Sequence, residues 1–527
     1  MSKNQATALA VLSAAVFLLA FLVSGRIWFR LDMTASRIFT ISEISRNLHR
    51  EITDQVTITY FVSDRLAIAH PMPGAIADLL REYAAHSRGR IRIVQRDPAR
   101  ANLARAVEDL GIIPWQIQVI ENNEPAVATV YSGILIEYLD RASVIPIVFS
   151  LYTLEYDLSS RIRSLIRNIP REIGVIVADA HKEWHGDFSL LNRALFLAGF
   201  NVRPMRPGEP IPGTLPALFV LGGAEDLDEF GLYLIDRYIM GGGNALFAVD
   251  GVFVDSRGSL QAWPVNDMGL LAMLAQYGVL VRSALVLDQS ALSLTFQAHD
   301  GAGMHVRSIS YPHWVAVRED RSNPLHRITS RFAGIDLYWA SPLELIPPEG
   351  ISAEVLFLST PWAWLQVDEF ITDPGMAMFF EGERAHTSGT KVLGAALSGM
   401  FPSAFEGHAP SFLPPPQRRP SRIIVVGDTD FAGDIMELGQ SEARNLDFLV
   451  RAAEWLSSED DMLDMRGREG AGRLDRIADG ERRRAAMAFS QRLNTMVIPL
   501  AVALAGFFMV RRRSARMRRG SRGGEER

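Results

Sequence analysis

Few residues are placed to do chemistry. His181, Glu183 and His185 fall within five positions of one another, just after an apolar run that ends at Asp179. Two histidines at i and i+4 share one face of a helix and can hold zinc. The glutamate, however, follows His181 by two residues, whereas the metalloprotease helix His-Glu-x-x-His has it one residue on. That mechanism is not expected, and a hydrogen-bonded loop fits this turn better than a helix. Four aspartates, Asp179, Asp250, Asp428 and Asp430, each follow a run that reads as a strand. If those strands are parallel, the carboxylates converge along one sheet edge, where open α/β sheets take ligands. They could hold a hard cation there, such as Ca²⁺ or Mg²⁺. The competing account is that a short Asp side chain caps the turn or helix that follows it. His181, Glu183, His185, Asp250, Asp428 and Asp430 are the candidate ligand-binding residues. No catalytic residue, metal site or cofactor is expected.

Other chemistries are excluded by what the chain lacks. It contains no cysteine, which removes disulfides, thiolate metal sites and a cysteine nucleophile. There is no Gly-x-Ser-x-Gly elbow for a serine hydrolase and no Gly-x-x-x-x-Gly-Lys-Ser/Thr loop to cradle ATP phosphates. Gly241-Gly242-Gly243 precedes a strand, the wrong order for a phosphate loop, and reads as a helix stop. Pro361-Trp362-Ala363-Trp364 offers aromatic surface for a partner or a sugar, with core packing as the commoner fate of such residues.

The elements that must position these residues alternate between β and α. Val56–Val62 and Ile91–Val94 read as strands, with a helix around Ile76, Leu79, Leu80 and Tyr83 between them. Ser42 is a plausible N-cap for a helix over Glu43–His49. A helix over Ala101–Leu110 and strands over Val130–Tyr138 and Val144–Phe149 complete a small α/β domain within 25–168, with a thioredoxin-like outline but without Cys-x-x-Cys. Thr153–Arg167 closes it as a helix. A second α/β domain, 169–456, has apolar strands at Ile173–Ala178, Ala217–Leu221, Ala245–Val249 and Arg422–Val426, and helices at Leu190–Ala198, Phe230–Met240 and Leu446–Leu456. Buried runs of this kind between helices predict a doubly wound parallel sheet. Residues 291–420 read as an irregular insertion, with strands at Glu354–Leu358 and Lys391–Leu397 and a proline-rich loop from 402.

The ends read differently. Ala6–Val23 is an uncharged apolar run followed by Arg26, Trp28 and Arg30, which predicts an uncleaved membrane anchor over 1–24. Asn494–Val510 is a second apolar run, after a polar stalk over 457–493, and eight arginines lie in the tail at 511–527. That cluster places the C-terminus in the cytoplasm by the positive-inside rule. With two spans the N-terminus is cytoplasmic as well, and the main body faces outward from a bacterial inner membrane. The chain has 527 residues and a net charge of −6, so with a basic tail the body is more acidic still. An acidic body argues against nucleic acid as a partner.

Laid end to end, these segments resemble the GldG family, an auxiliary component of ABC transport systems associated with gliding motility. The resemblance rests on Asp32-Met33-Thr34 with Phe39-Thr40-Ile41-Ser42, on Tyr60-Phe61-Val62-Ser63 and on Asp97-Pro98. It continues through Asp236–Gly243, Val425–Phe431, Asn445–Phe448 and Glu454-Trp455-Leu456 to the terminal span with its arginines. Where that family tends to a Gly-His-Gly-Glu-like turn, this chain has Ala180-His181-Lys182-Glu183. The resemblance implies a non-enzymatic subunit that pairs with a permease and an ATPase and meets an envelope protein or substrate outside. It also implies a second domain like a glutamine amidotransferase without its catalytic cysteine. The alternative is a membrane-tethered, metal-dependent enzyme or ligand-binding protein that uses the strand-end Asp and His residues.

Overall fold

A computed structural model describes residues 41–457, apart from 101–102, 122–123, 149, 169–170, 223–226, 266–268, 301–302, 331, 383 and 407–415. The expected spans at 6–23 and 494–510, the stalk beyond Ser457 and the basic tail lie outside the described residues. Among the described residues no helix is long and apolar enough to cross a membrane.

The chain is a mixed α/β structure built on two main sheets. The first has the order Ile91–Arg96, Val56–Val62, Ser132–Tyr138, Arg141–Ile145. Its first pair is parallel and the other two pairs are antiparallel. Val56–Val62 is central and almost wholly buried, as its β-branched and aromatic run predicts. The helix Met72–Ala85 buries Ile76, Leu79, Leu80 and Tyr83, the four residues picked out by helical spacing. Ser42 caps Glu43–Glu51, its hydroxyl accepting from Ser45 N at 3.1 Å. Glu155 Oε1, on the helix Leu151–Arg167, accepts from Ser42 N and Ser45 Oγ at 2.6 and 2.7 Å and locks that cap into the core. A hairpin over Trp115–Glu121 and Glu124–Val130 stands apart from this sheet and was not anticipated.

The second sheet has nine strands among the described residues. Five run parallel, in the order Asn201–Met205, Glu172–Val177, Ala217–Leu221, Asn244–Ala248, Ser421–Val426. Their alternate residues feed two cores. Ala217, Phe219 and Leu221 face Leu191, Leu195, Phe448 and Leu449, while Leu218 and Val220 face Ile235 and Ile239. Helices therefore cover both faces, which is why these strands read as unbroken apolar runs.

Beyond Ser421–Val426 the pairing turns antiparallel. Val392–Gly399 runs antiparallel to it, Ile351–Leu358 and Leu343–Leu345 pair with Val392–Gly399, and Val279–Val281 ends the sheet. The stretch read as an irregular insertion thus supplies strands to the main sheet. It also forms the long hairpin Ala291–Asp300 with Gly303–Arg318, extended by Gly334–Tyr338.

Candidate functional site

The parallel strands place their carboxyl ends side by side, and the chain reverses its direction of growth between Glu172–Val177 and Ala217–Leu221. Open α/β sheets bind ligands in the crevice at such a reversal. Here the backbone fills much of it. Ala178 N donates to Leu221 O at 2.7 Å and Gly222 N to Ala248 O at 2.9 Å. Gly222 has φ +119°, and a Cβ there would lie 2.7 Å from the Ala178 carbonyl. Only glycine fits, through both its conformation and its bulk.

Around this closed point the strand-end aspartates converge on one cation. Lys182 Nζ lies 2.8 Å from Asp430 Oδ1 and 3.6 Å from Asp179 Oδ2. The three side chains are 13, 13 and 5% exposed, which leaves little water to screen the attraction. Burial alone would lower the Lys182 pKa, but the charges of Asp430, Asp250 and Asp179 outweigh it and raise the ammonium above its ordinary value. Asp250 is pushed up to about 6 by burial, with Lys182 opposing and Asp430 reinforcing. Asp428 is fully buried, and burial together with the charges of Asp250 and Asp430 raises it well above the usual carboxylate range.

The backbone accounts for most of the remaining carboxylate oxygens. Asp428 accepts from Tyr338 N at 2.6 Å, Asp430 N at 2.7 Å and Phe431 N at 3.3 Å. Asp250 Oδ1 accepts from Thr429 N, and Asp179 Oδ1 from His181 N, each at 2.8 Å. The bonds from Asp430 N and Phe431 N to Asp428 and from His181 N to Asp179 are the local turn-capping bonds that short acidic side chains make, whereas Tyr338 N and Thr429 N tie Asp428 and Asp250 to segments 90 and 179 residues away. Among the described residues no group of three or more His, Asp and Glu side chains could hold a metal ion.

The histidines stand outside this arrangement. His181 lies in the turn and His185 in the four-residue helix Trp184–Asp187, so they do not share a helix face, and both are exposed, as is Glu183. The His181 ring packs on Phe253 at 5.1 Å, and Phe253 on Trp263 at 4.8 Å. Both aromatics belong to a hairpin over Val252–Val254 and Ala262–Pro264. Arg257, at the tip of that hairpin, donates to His181 O at 3.1 Å and pairs with Asp187. The two tryptophans of the 361–364 run separate, with Trp362 63% exposed and Trp364 buried, its Nε1 donating to Phe380 O at 2.7 Å. Sequence reasoning missed Lys182, Tyr338, Phe253 and Arg257. Lys182 alone left a trace, since the chain has three lysines and this one follows His181.

Residues 170–452 match the model of a family described as an ABC-type uncharacterized transport system, in its auxiliary component. The chain belongs to that family. The matched segment holds the second sheet and every carboxylate around Lys182. Residues 35–137 match a second model, described as a domain of unknown function. An uncharacterized protein of Borreliella burgdorferi is 24% identical over 519 residues, covering 96% of this chain and 97% of the relative. A ThuA-like protein from Parabacteroides merdae covers 55% of this ABC transport auxiliary chain and 90% of its own, at 11% identity and a TM-score of 0.29. An exo-β-1,4-mannosidase from an Opitutaceae bacterium covers 74% and 51% respectively, at 12% identity and a TM-score of 0.24. Likenesses this distant carry no argument here.

Proposed function

We propose that this chain is a non-enzymatic, membrane-anchored accessory subunit of an ABC transport system, pairing with a permease and a cytoplasmic ATPase and acting as a GldG-like component. Its ends cross the bacterial inner membrane, both termini are cytoplasmic, and the two α/β domains face outward to meet a substrate or an envelope protein. Membership of the auxiliary family supports the transport role. The observation that carries the non-enzymatic reading is Lys182. It fills with an internal counter-ion the strand-end position where a sheet of this kind would hold a ligand or catalytic group. The first sheet supports a thioredoxin-like outline through its strand order and directions, and the absence of cysteine removes the redox chemistry of that fold.

The test is isolation of the tagged full chain from its native membrane in mild detergent. A permease and an ATPase should co-purify in fixed ratio, whereas a chain that always isolates alone overturns the pairing. Protease added to intact spheroplasts should digest the body while sparing both ends. A body protected until lysis overturns the topology.

A further inference from the structure

The strand Ile91–Arg96 is the open edge of the first sheet, with Val56–Val62 as its only partner among the described residues. Arg90 O accepts from Val56 N at 2.9 Å. Bonding residues alternate along a parallel ladder, so the even-numbered residues bond inward, and Ile93 and Gln95 turn their N–H and C=O groups to the open side. The even-numbered side chains face a pocket of about 420 Å³. Phe61, Val94 and Leu135 line it, and Arg92 and Arg96 stand on its outer side with Glu137 across from them. Arg92 and Arg96 are exposed. Arg100, next along the chain, is engaged by Asp64 at 2.6 Å, and Arg90 donates to the Arg50 and Ile52 carbonyls, so neither duplicates them.

An unpaired edge and a pocket beneath alternate residues are the two parts of strand addition, and the two cations flanking this pocket add a preference for acidic side chains. Main-chain bonds supply affinity, and pockets for alternate side chains supply specificity. We propose that Ile91–Arg96 is a docking edge for an extended acidic segment of a partner protein, with the pattern acidic–x–apolar–x–acidic. The apolar residue enters the pocket over Val94, and the two carboxylates meet Arg92 and Arg96. A second copy of this chain is disfavoured at this edge, because two such strands side by side bring their arginines together, and like charges on adjacent strands repel.

The test uses the full chain in detergent micelles and a fluorescent peptide, Thr-Glu-Thr-Val-Thr-Glu-Thr. Controls replace its glutamates with lysine, or its central valine and the following threonine with two prolines, which removes a donor to the edge whichever way the peptide runs. The acidic peptide should bind and both controls should bind about tenfold more weakly or worse. Arg92→Glu with Arg96→Glu should weaken binding by at least about tenfold. Gln95→Pro should do the same with the fold intact, since proline is tolerated where a strand N–H faces solvent. Hydrogen exchange on the unaltered protein should show new protection over 91–96 with the acidic peptide. The proposal is overturned if no binding appears at millimolar peptide, or if the lysine peptide binds as well. It is overturned equally if the proline peptide competes as well, which would mark a general anion patch, or if 91–96 gains no protection.

Discussion

Removing the Lys182 ammonium tests the reading of the strand-end site most directly. In Lys182→Met the aspartates at 179, 250 and 430 lose their shared counter-ion but keep their positions on three strand ends. Taking one partner from a buried ion pair costs about 3–5 kcal/mol. The groups here retain some exposure, 13% for Lys182 and Asp430 and 5% for Asp179. The lower end of that range therefore applies, about 3 kcal/mol at neutral pH. At about 2 °C per kcal/mol for a domain of this size, the melting temperature should fall by about 6 °C. The loss should depend on pH in a definite direction. Asp250, held at about 6 by burial, binds more protons in the folded than in the unfolded chain between its unfolded value of 3.8 and that value. Its cost therefore grows as pH rises through that window and is complete above it. Without Lys182, the positive charge that lowers this carboxyl is gone and the window moves upward. The gap between variant and wild type should be widest at about pH 7–8 and should narrow toward about pH 5. Adding Asp430→Asn should recover part of the loss, because the repulsion falls with the charge. Thermal unfolding of the full chain by circular dichroism measures each quantity. A fall of less than about 2 °C at neutral pH, or a gap constant across the range, would refute the claim that Lys182 neutralises the site.

Two further substitutions probe the frame around it. Asn445 is fully buried, with Oδ1 accepting from Asp336 N at 2.9 Å and Nδ2 donating to Asp336 O and Phe431 O at 2.8 and 3.0 Å. Asn445→Ala should therefore destabilise by about 2–4 kcal/mol in chemical denaturation, and a loss below about 1 kcal/mol would contradict these bonds. His313 is buried, its Nε2 lies 3.2 Å from Gln366 Oε1, and burial pushes its pKa down from 6.5 to about 4. The unfolded chain binds the proton first, so this residue removes stability as pH falls from 6.5 to about 4, by at most about 1.4 kcal/mol per pH unit. His313→Gln should flatten the acid limb of the stability–pH curve, whatever constant offset it adds, and an unchanged acid slope counts against the buried neutral imidazole.

What could be read from the sequence follows from how local each signal is. Ala217–Leu221 and Asn244–Ala248 are covered on both faces, so each strand carries its own burial as a short apolar run. Val279–Val281 and Leu343–Leu345 are three residues long, too short for any period, and they join the sheet only because Val392–Gly399 lies antiparallel beside Ser421–Val426. That direction is set by packing between distant segments, and a periodicity argument has no access to it. Trp115–Glu121 does carry a legible signal that sequence reasoning missed, since Gln116 and Gln118 alternate with Trp115, Ile117 and Val119 as in a half-buried strand.

The site divides along the same line. Each aspartate was legible because a carboxylate directly after an apolar strand is a local pattern. Lys182 was not, because its place depends on strand ends that close together only in the fold, Asp430 being 248 residues away along the chain. That difference changes the chemistry. Four carboxylates gathered at a sheet edge would attract a divalent cation. The same four with an ammonium already among them, and with Asp250 and Asp428 raised toward the neutral form, hold much less charge to offer one. The residue that decides between a ligand site and a self-neutralised turn is thus the one whose role no local pattern announces.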